Sequence, residues 1–231
     1  PTSNRIKKLR RTLLHYRNFL KENITIYILD ASYIDVKNEI KISLPKNFIF
    51  KRYSAKLSYT ERIFKFLEET KIETQYICIA NDEDILISNY LINAVKFLEQ
   101  NKDYAGYYGL VLTFLKPFFI LPRLSFHKSS YPKEIYIDSE NLVERVIKYL
   151  ALNFNTVPFT FYSVRRTKDF LNLYSKIHTM QLFEMSEELL DQIHIAFSGK
   201  LYFGKEIMMI RDETKNNYEI EDNRHHPEEI I

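Results

Sequence analysis

Thr74-Gln75-Tyr76-Ile77-Cys78-Ile79-Ala80-Asn81-Asp82-Glu83-Asp84 is the stretch whose reading decides the fold. Residues 76–80 form a short apolar run and read as a buried strand. That run leads straight into three successive carboxylates. Ser88 then reads as the N-cap of a helix carrying Leu91, Ile92, Val95 and Leu98. A strand, an acidic turn and a helix in this order make half of a β-α unit. Repeated units of that kind build a sheet with helices on both faces.

Working toward the start of the chain, Ile6, Leu9, Leu13, Tyr16 and Leu20 recur at helical spacing, so 5–22 is expected to be an amphipathic helix. Residues 24–29 are a β-branched apolar run that ends at Asp30 and reads as a buried strand. A second strand is expected at 47–53. Ser58 and Glu61 have the capping-box spacing, which predicts a helix to about residue 70.

Working toward the end, 101–104 reads as a turn and 107–114 as a strand, and 117–132 is irregular and marked by prolines. Helices are expected at about 139–152, 167–177 and 186–198, with Gly199 in the position of a C′ glycine. A last strand at about 205–210 ends at Arg211, and the tail from Asp212 is polar. The first half thus alternates helix and strand. The expected class is α/β, a mainly parallel sheet flanked by helices with a helical C-terminal region. Ligands of such sheets bind at the carboxyl ends of strands, where Asp30 and Asp82, Glu83 and Asp84 all fall.

Composition narrows the chemistry. The 231 residues are 45% hydrophobic, enough for one sizeable core. Only four glycines occur, Gly106, Gly109, Gly199 and Gly204. They cannot form a Walker A loop or a GxGxxG turn, so a bound nucleotide must be gripped in another way. The net charge of +3 does not by itself point to nucleic acid. The basic run Arg5, Lys7, Lys8, Arg10, Arg11 reads either as a solvated helix face or as a contact for a diphosphate or membrane surface. Cys78 is the single cysteine, which excludes a disulfide framework and fits a reducing compartment. The longest apolar stretch, 109–122, is broken by Lys116 and Pro117 and is too short to span a bilayer.

Three carboxylates in a row repel one another, and a hard divalent cation relieves that repulsion. Mg²⁺ is held by one or two carboxylates plus substrate phosphates, a mode that suits an acidic strand end. The alternative is an acidic approach to the following helix, favourable to its dipole. Asp30 reads as a turn former or as an acceptor for a base or ribose. Glu187 and Glu188 read as first-turn carboxylates of a helix or as a general base, with Glu184 competing. His225 and His226 stand in the polar tail, either exposed or as a late metal ligand.

The order of these features resembles the family 2-like GT-A glycosyltransferases, and within them a bacterial subgroup with a carboxylate-triplet DxD motif. Pro1-Thr2-Ser3-Asn4-Arg5 resembles the end of that family's first strand, which implies that this strand lies upstream of Pro1. Ile28-Leu29-Asp30-Ala31-Ser32 resembles the second-strand ending. The quoted stretch resembles the strand leading to the DxD motif, with Arg62 the nearest candidate for the arginine that precedes it. Glu187-Glu188 before Gly199 resembles the family's "ED" pair, and the segment ending in Arg211 resembles its closing strand. The triplet's central Glu83 and the second Glu of the pair depart from the family pattern, and no QxxRW-like motif is present.

The resemblance implies a single GT-A domain over 1–212, with a nucleotide-sugar half at about 1–115, an acceptor half at about 116–212 and a tail at 213–231. It implies sugar transfer from a nucleoside-diphosphate sugar to a hydroxyl of a glycan or lipid-linked acceptor, at the cytoplasmic side or inner membrane face, in surface polysaccharide synthesis. Nucleic acid is not an expected partner. Thr2, Arg5, Asp30, Asp82 and Glu83 would bind the donor. Asp84 and Asp82 would hold Mg²⁺ or Mn²⁺. Glu188, or Glu187 in its place, would be the base. A degenerate domain of the same fold serving as a scaffold is the alternative.

Overall fold

A computed structural model describes residues 1–20, 23–115, 125–128, 134–156, 160–177, 180 and 184–212. The tail histidines His225 and His226 lie outside the described residues. Among those described, no helix is long and apolar enough to cross a membrane.

The first half follows the sequence pattern closely. Helix α1 (Ile6–Phe19) buries Leu9, Leu13 and Tyr16, the apolar stripe of the repeat. Strand β1 (Ile26–Asp30) pairs in parallel with β2 (Phe48–Arg52). Between them lies the short helix α2 (Val36–Ile40), capped by Asp35, which accepts from the Asn38 amide. Helix α3 (Tyr59–Glu69) has the full capping box: the Glu61 amide donates to Ser58, and the Ser58 amide to the Glu61 side chain. These reciprocal bonds satisfy two of the donors that a helix start leaves open.

The acidic stretch departs from expectation in one respect. Strand β3 is only Tyr76–Ile77, and a further short strand, β4 (Asp84–Leu86), follows the carboxylates before α4 (Ser88–Gln100). Asp84 is therefore the first residue of a strand, not the free end of one. Ile87, not Ser88, occupies the N-cap.

The second half is built on two long strands, β5 (Tyr104–Leu115) and β9 (Lys200–Asp212), paired in parallel. Between them come β6 (Ser125–Lys128), β7 (Ile135–Ile137), α5 (Leu142–Thr156), a 3₁₀ turn (Thr160–Tyr162), β8 (Val164–Arg166), α6 (Thr167–Ile177) and α7 (Glu184–Ser198). A seven-stranded sheet runs β3-β8-β5-β9-β4, with β6 on β5 and β7 on β9. β1 and β2 form a separate two-stranded sheet.

The class is α/β, but the expectation of a mainly parallel sheet is wrong. Of the described pairs only β1–β2 and β5–β9 are parallel, and β3–β8, β4–β9, β5–β6, β5–β8 and β7–β9 are antiparallel. The physical reason is the short strands. Two- to four-residue segments such as β4 and β8 lack the periodic signal that a sequence reading needs, and they return antiparallel against the long strands.

Two glycines are explained by close approach. A Cβ on Gly109 would lie 2.7 Å from the Glu206 carbonyl oxygen and 2.8 Å from Met208 Cβ, at the irregular register between β5 and β9. Gly199 does not adopt the left-handed C′ conformation expected of it, since no glycine has positive φ. Its Cβ would meet the Asp103 carbonyl oxygen at 2.8 Å, so it is kept small by the neighbouring turn.

Candidate functional site

The start of the chain, α1 and the acidic turn form one unit. Asn4 takes φ 53°, a left-handed conformation that Asn tolerates, and its side chain accepts from the Tyr33 amide at 3.1 Å. The Asn4 amide donates to Ser32 Oγ at 2.8 Å. This sharp bend converts the extended Pro1–Thr2 into α1 and aims Thr2 and Arg5 at residues 81–84. Helix α1 then holds the turn by its backbone. Thr12 Oγ1 donates to the Asp82 carbonyl at 2.7 Å, and the Tyr16 hydroxyl donates to the Asp84 carbonyl at 3.0 Å. The Leu86 amide donates to the Tyr16 hydroxyl at 3.2 Å.

The basic run is thus largely not a solvated face. Arg5 Nη2 lies 3.0 Å from Asp82 Oδ1, and Lys8 Nζ lies 2.7 Å from Glu83 Oε2. Arg11 pairs with Asp212 and donates to the Glu83 carbonyl. Thr2 Oγ1 donates to the other oxygen of Asp82 at 2.6 Å. Asp84 is closed off by Arg211 of β9, with Nε 3.1 Å from Oδ1 and Nη2 3.3 Å from Oδ2. The Arg211 guanidinium also stacks on the Tyr162 ring at 4.8 Å, and the Tyr162 hydroxyl accepts from Asn81 Nδ2 at 2.8 Å.

Burial pushes the carboxyls of Asp82 and Asp84 above their ordinary values. Arg5 and Thr2 oppose that rise at Asp82, and Arg211 opposes it at Asp84, without cancelling it. Removing a carboxylate from water disfavours its charged form more than one cation can restore.

These contacts bear on the expected metal. Carboxylate oxygens are the right donors for a hard cation. Their lone pairs are already engaged: Asp84 by Arg211, Asp82 by Thr2 and Arg5, Glu83 by Lys8 and Arg5. Three cationic side chains face three carboxylates. Among the described residues no three His, Cys, Asp or Glu side chains converge as a ligand set. As they stand, these residues do not fit a divalent ion, because Arg211 would first have to release Asp84.

Beside this turn lies a cavity of about 360 Å³. It is lined by Thr2, Arg5, Arg62, Asn81, Tyr162 and Glu187, among others. The size falls in the range of small-molecule sites. Arg62 is buried, donating from Nη1 to the Thr2 carbonyl at 3.0 Å and from Nε to the Ser58 carbonyl at 3.2 Å. The cavity therefore brings together Thr2, Arg5 and Glu187 from the expected residues. Asp82 sits behind Thr2 and Arg5, outside the lining, with Glu83 and Asp84 beyond it. Asp30 is buried at the end of β1, where its side chain accepts from the Ser32 amide at 2.9 Å and shapes the turn. The side chains of Glu188 and Glu184 lie outside the described residues.

Glu187 is aimed by the residue one helical turn on. Asp191, four positions later on the same face of α7, is fully buried and paired with Arg165 of β8. Arg165 Nη2 lies 2.9 Å from Asp191 Oδ2, and the Tyr174 hydroxyl donates to that same oxygen at 2.9 Å. The sequence reading missed Arg165, Asp191, Tyr162 and Asn81. Asp191 was within reach, because its spacing from Glu187 puts both on one helical face. Nothing local marks Arg165, in a three-residue strand, as its partner.

The sequence matches no protein-family model, and no curated protein matches it at a significant level.

Proposed function

We propose that this chain is a GT-A-like glycosyltransferase that moves a sugar from a nucleoside-diphosphate sugar to an acceptor hydroxyl. The observation that carries the reading is the convergence of Arg5, Arg62, Asn81 and Glu187 on one cavity at the acidic turn. Two guanidinium groups suit a diphosphate, which they can meet with paired, charge-assisted hydrogen bonds. Such donors stabilise the charge that grows on the departing diphosphate as the glycosidic carbon–oxygen bond breaks. Glu187 is the carboxylate in that cavity placed to take the acceptor's hydroxyl proton as the new carbon–oxygen bond forms. Asn81 and the Tyr162 hydroxyl, already hydrogen-bonded, add neutral polar groups for orientation. A glycan or lipid-linked acceptor, and work at the inner face of a membrane, belong to this proposal through the family resemblance alone.

A second reading, a non-catalytic domain of the same ancestry, is favoured by the closed Asp84–Arg211 pair. Thermal-shift measurements with a set of nucleoside-diphosphate sugars, each with Mn²⁺ and with chelator, separate the two. A ligand that binds only the folded chain raises its apparent stability, by about 2.7 kcal/mol at a hundredfold excess over Kd. The enzyme reading expects at least one donor to raise Tm and to release nucleoside diphosphate. If donors bind without turnover, the scaffold reading holds. If none binds at millimolar concentration, both fail.

A further inference from the structure

The largest unfilled space in the core is not the site above but a slot of about 640 Å³ between β1 and β3. Folded interiors pack with few voids larger than a water molecule, so a space of this size inside an apolar core is unusual. Its walls are successive residues, 26–29 on one side and 76–80 on the other. Side chains alternate between the faces of a strand, so a surface that touches every residue in turn is a strand edge. Leu13, Phe66 and Leu91, from α1, α3 and α4, close the slot with apolar side chains.

The hydrogen bonds of β1 show what such an edge can accept. Toward β2, the Ile26 amide donates to the Asn47 carbonyl at 2.8 Å, and the Asp30 carbonyl accepts from the Tyr53 amide at 2.7 Å. Backbone groups of a paired strand alternate in direction from one residue to the next, so those of Tyr27 and Leu29 point the other way, into the slot. One residue already uses that edge. The Thr2 amide donates to the Leu29 carbonyl at 2.9 Å, and the Thr2 carbonyl accepts from the Ala31 amide at 3.0 Å, as in a parallel bridge with Asp30. The facing edge is β3, whose other side is taken by β8.

We propose that this slot receives an extended apolar segment joined to Pro1, running parallel to β1 and uniting the two sheets into one. The register follows from the Thr2–Asp30 bridge. The residue two before Thr2 stands opposite Ile28, and the residue four before it stands opposite Ile26. Three residues ahead of Pro1 therefore reach the start of β1, at about 3.3 Å per residue. The carbonyl one residue ahead of Pro1 takes the Leu29 amide, and the carbonyl three ahead takes the Tyr27 amide. Both walls are apolar, so the segment is β-branched and uncharged. It anchors Thr2, whose hydroxyl holds Asp82. This inference is independent of the sugar-transfer reading.

The test compares three proteins: the 231-residue chain, the same chain with three β-branched apolar residues added before Pro1, and the same chain with three glycine and serine residues there. Amide hydrogen exchange and thermal melting are the readouts. In the unextended chain, Ile28 and Asp30, paired to β2, exchange slowly while Tyr27 and Leu29 exchange at least tenfold faster. The apolar extension slows Tyr27 and Leu29 at least tenfold and raises Tm by about 5 °C or more, and the glycine–serine extension does neither. Equal protection of all four amides in the unextended chain overturns the proposal, and so does an apolar extension that behaves like the polar one. Concentration-dependent protection accompanied by a dimer mass assigns the slot to a second copy and also overturns it. The alternation within the unextended chain decides the matter even if an extended chain does not fold.

Discussion

Arg211 grips Asp84 across the β4–β9 pair, with Nε 3.1 Å from one carboxylate oxygen and Nη2 3.3 Å from the other. Asp84 is fully buried, and burial raises its carboxyl above the ordinary value despite Arg211. Removing one partner of a buried pair leaves the other charge uncompensated, at a cost of about 3–5 kcal/mol. Arg211→Gln is therefore expected to lower unfolding free energy by about that amount in urea titrations. A loss below about 1 kcal/mol, the level of an exposed pair, would show that the contact is not held in solution.

The same variant interrogates the metal. With Arg211 in place the carboxylate oxygens of Asp84 are engaged, so Mn²⁺ alone is expected to leave the Tm of the unmodified chain unchanged. In Arg211→Gln those oxygens are released, and millimolar Mn²⁺ is expected to recover part of the lost stability, because an ion that binds only the folded state stabilises it. Melting curves with Mn²⁺ and with chelator read the difference directly. An unmodified chain that already responds to Mn²⁺ would mean that Arg211 yields readily to an ion.

Glu187→Gln keeps the shape of the side chain and removes its basicity. If Glu187 accepts the acceptor's proton, turnover falls by about 10²–10⁴-fold while donor affinity stays the same. Single-turnover transfer and a donor binding isotherm, measured on the same preparation, separate the two effects. Loss of turnover in Glu188→Gln with none in Glu187→Gln would reassign the base to the neighbouring residue.

Much of the first half was legible because its signals are local and repeated. The stripe Leu9, Leu13, Tyr16 predicts α1, the Ser58/Glu61 pair predicts the start of α3, and the apolar run to Asp30 predicts β1. The mixed sheet was not legible, because β4 and β8 are three residues each and take their direction from distant partners. The site divides in the same way. The acidic triplet announces itself in sequence, but Arg211 stands 127 residues from Asp84 and Arg5 stands 77 residues from Asp82. Whether carboxylates in a row await a metal or are neutralised by the chain depends on such long-range partners.

The Arg165–Asp191 pair offers a sharper test of how α7 is held. Both side chains are buried, and Tyr174 donates to the same carboxylate. Asp191→Asn leaves the guanidinium without a counter-charge and is expected to cost about 3–5 kcal/mol. The paired replacement Arg165→Met with Asp191→Leu removes both charges, and is expected to cost much less than the single change, since apolar pairs often substitute for buried ion pairs at little loss. Chemical denaturation of the single and double variants completes the cycle. A double variant as unstable as the single one would show that the fold depends on the pair's geometry and not merely on its neutrality.

Stability should also depend on pH through His194 and His15. Burial lowers both imidazoles below the ordinary value. For His194, Asp191 and Asp169 oppose that shift while Arg165 and Lys176 reinforce it. Above about pH 6.5 the ring is neutral in folded and unfolded chain alike, and it contributes no slope. Below that value the unfolded chain takes up a proton while the folded chain resists. The unfolded state then binds more protons, and stability falls as pH falls toward the lowered folded value. The raised carboxyls of Asp82, Asp84 and Asp169 act in the opposite sense, because there the folded chain binds protons more readily. Unfolding free energy is therefore expected to decline from pH 7 through the histidine window and to flatten where these carboxyls titrate. His194→Gln should reduce the histidine part of the slope and leave the carboxyl part. An unchanged slope in His194→Gln would place that imidazole in water.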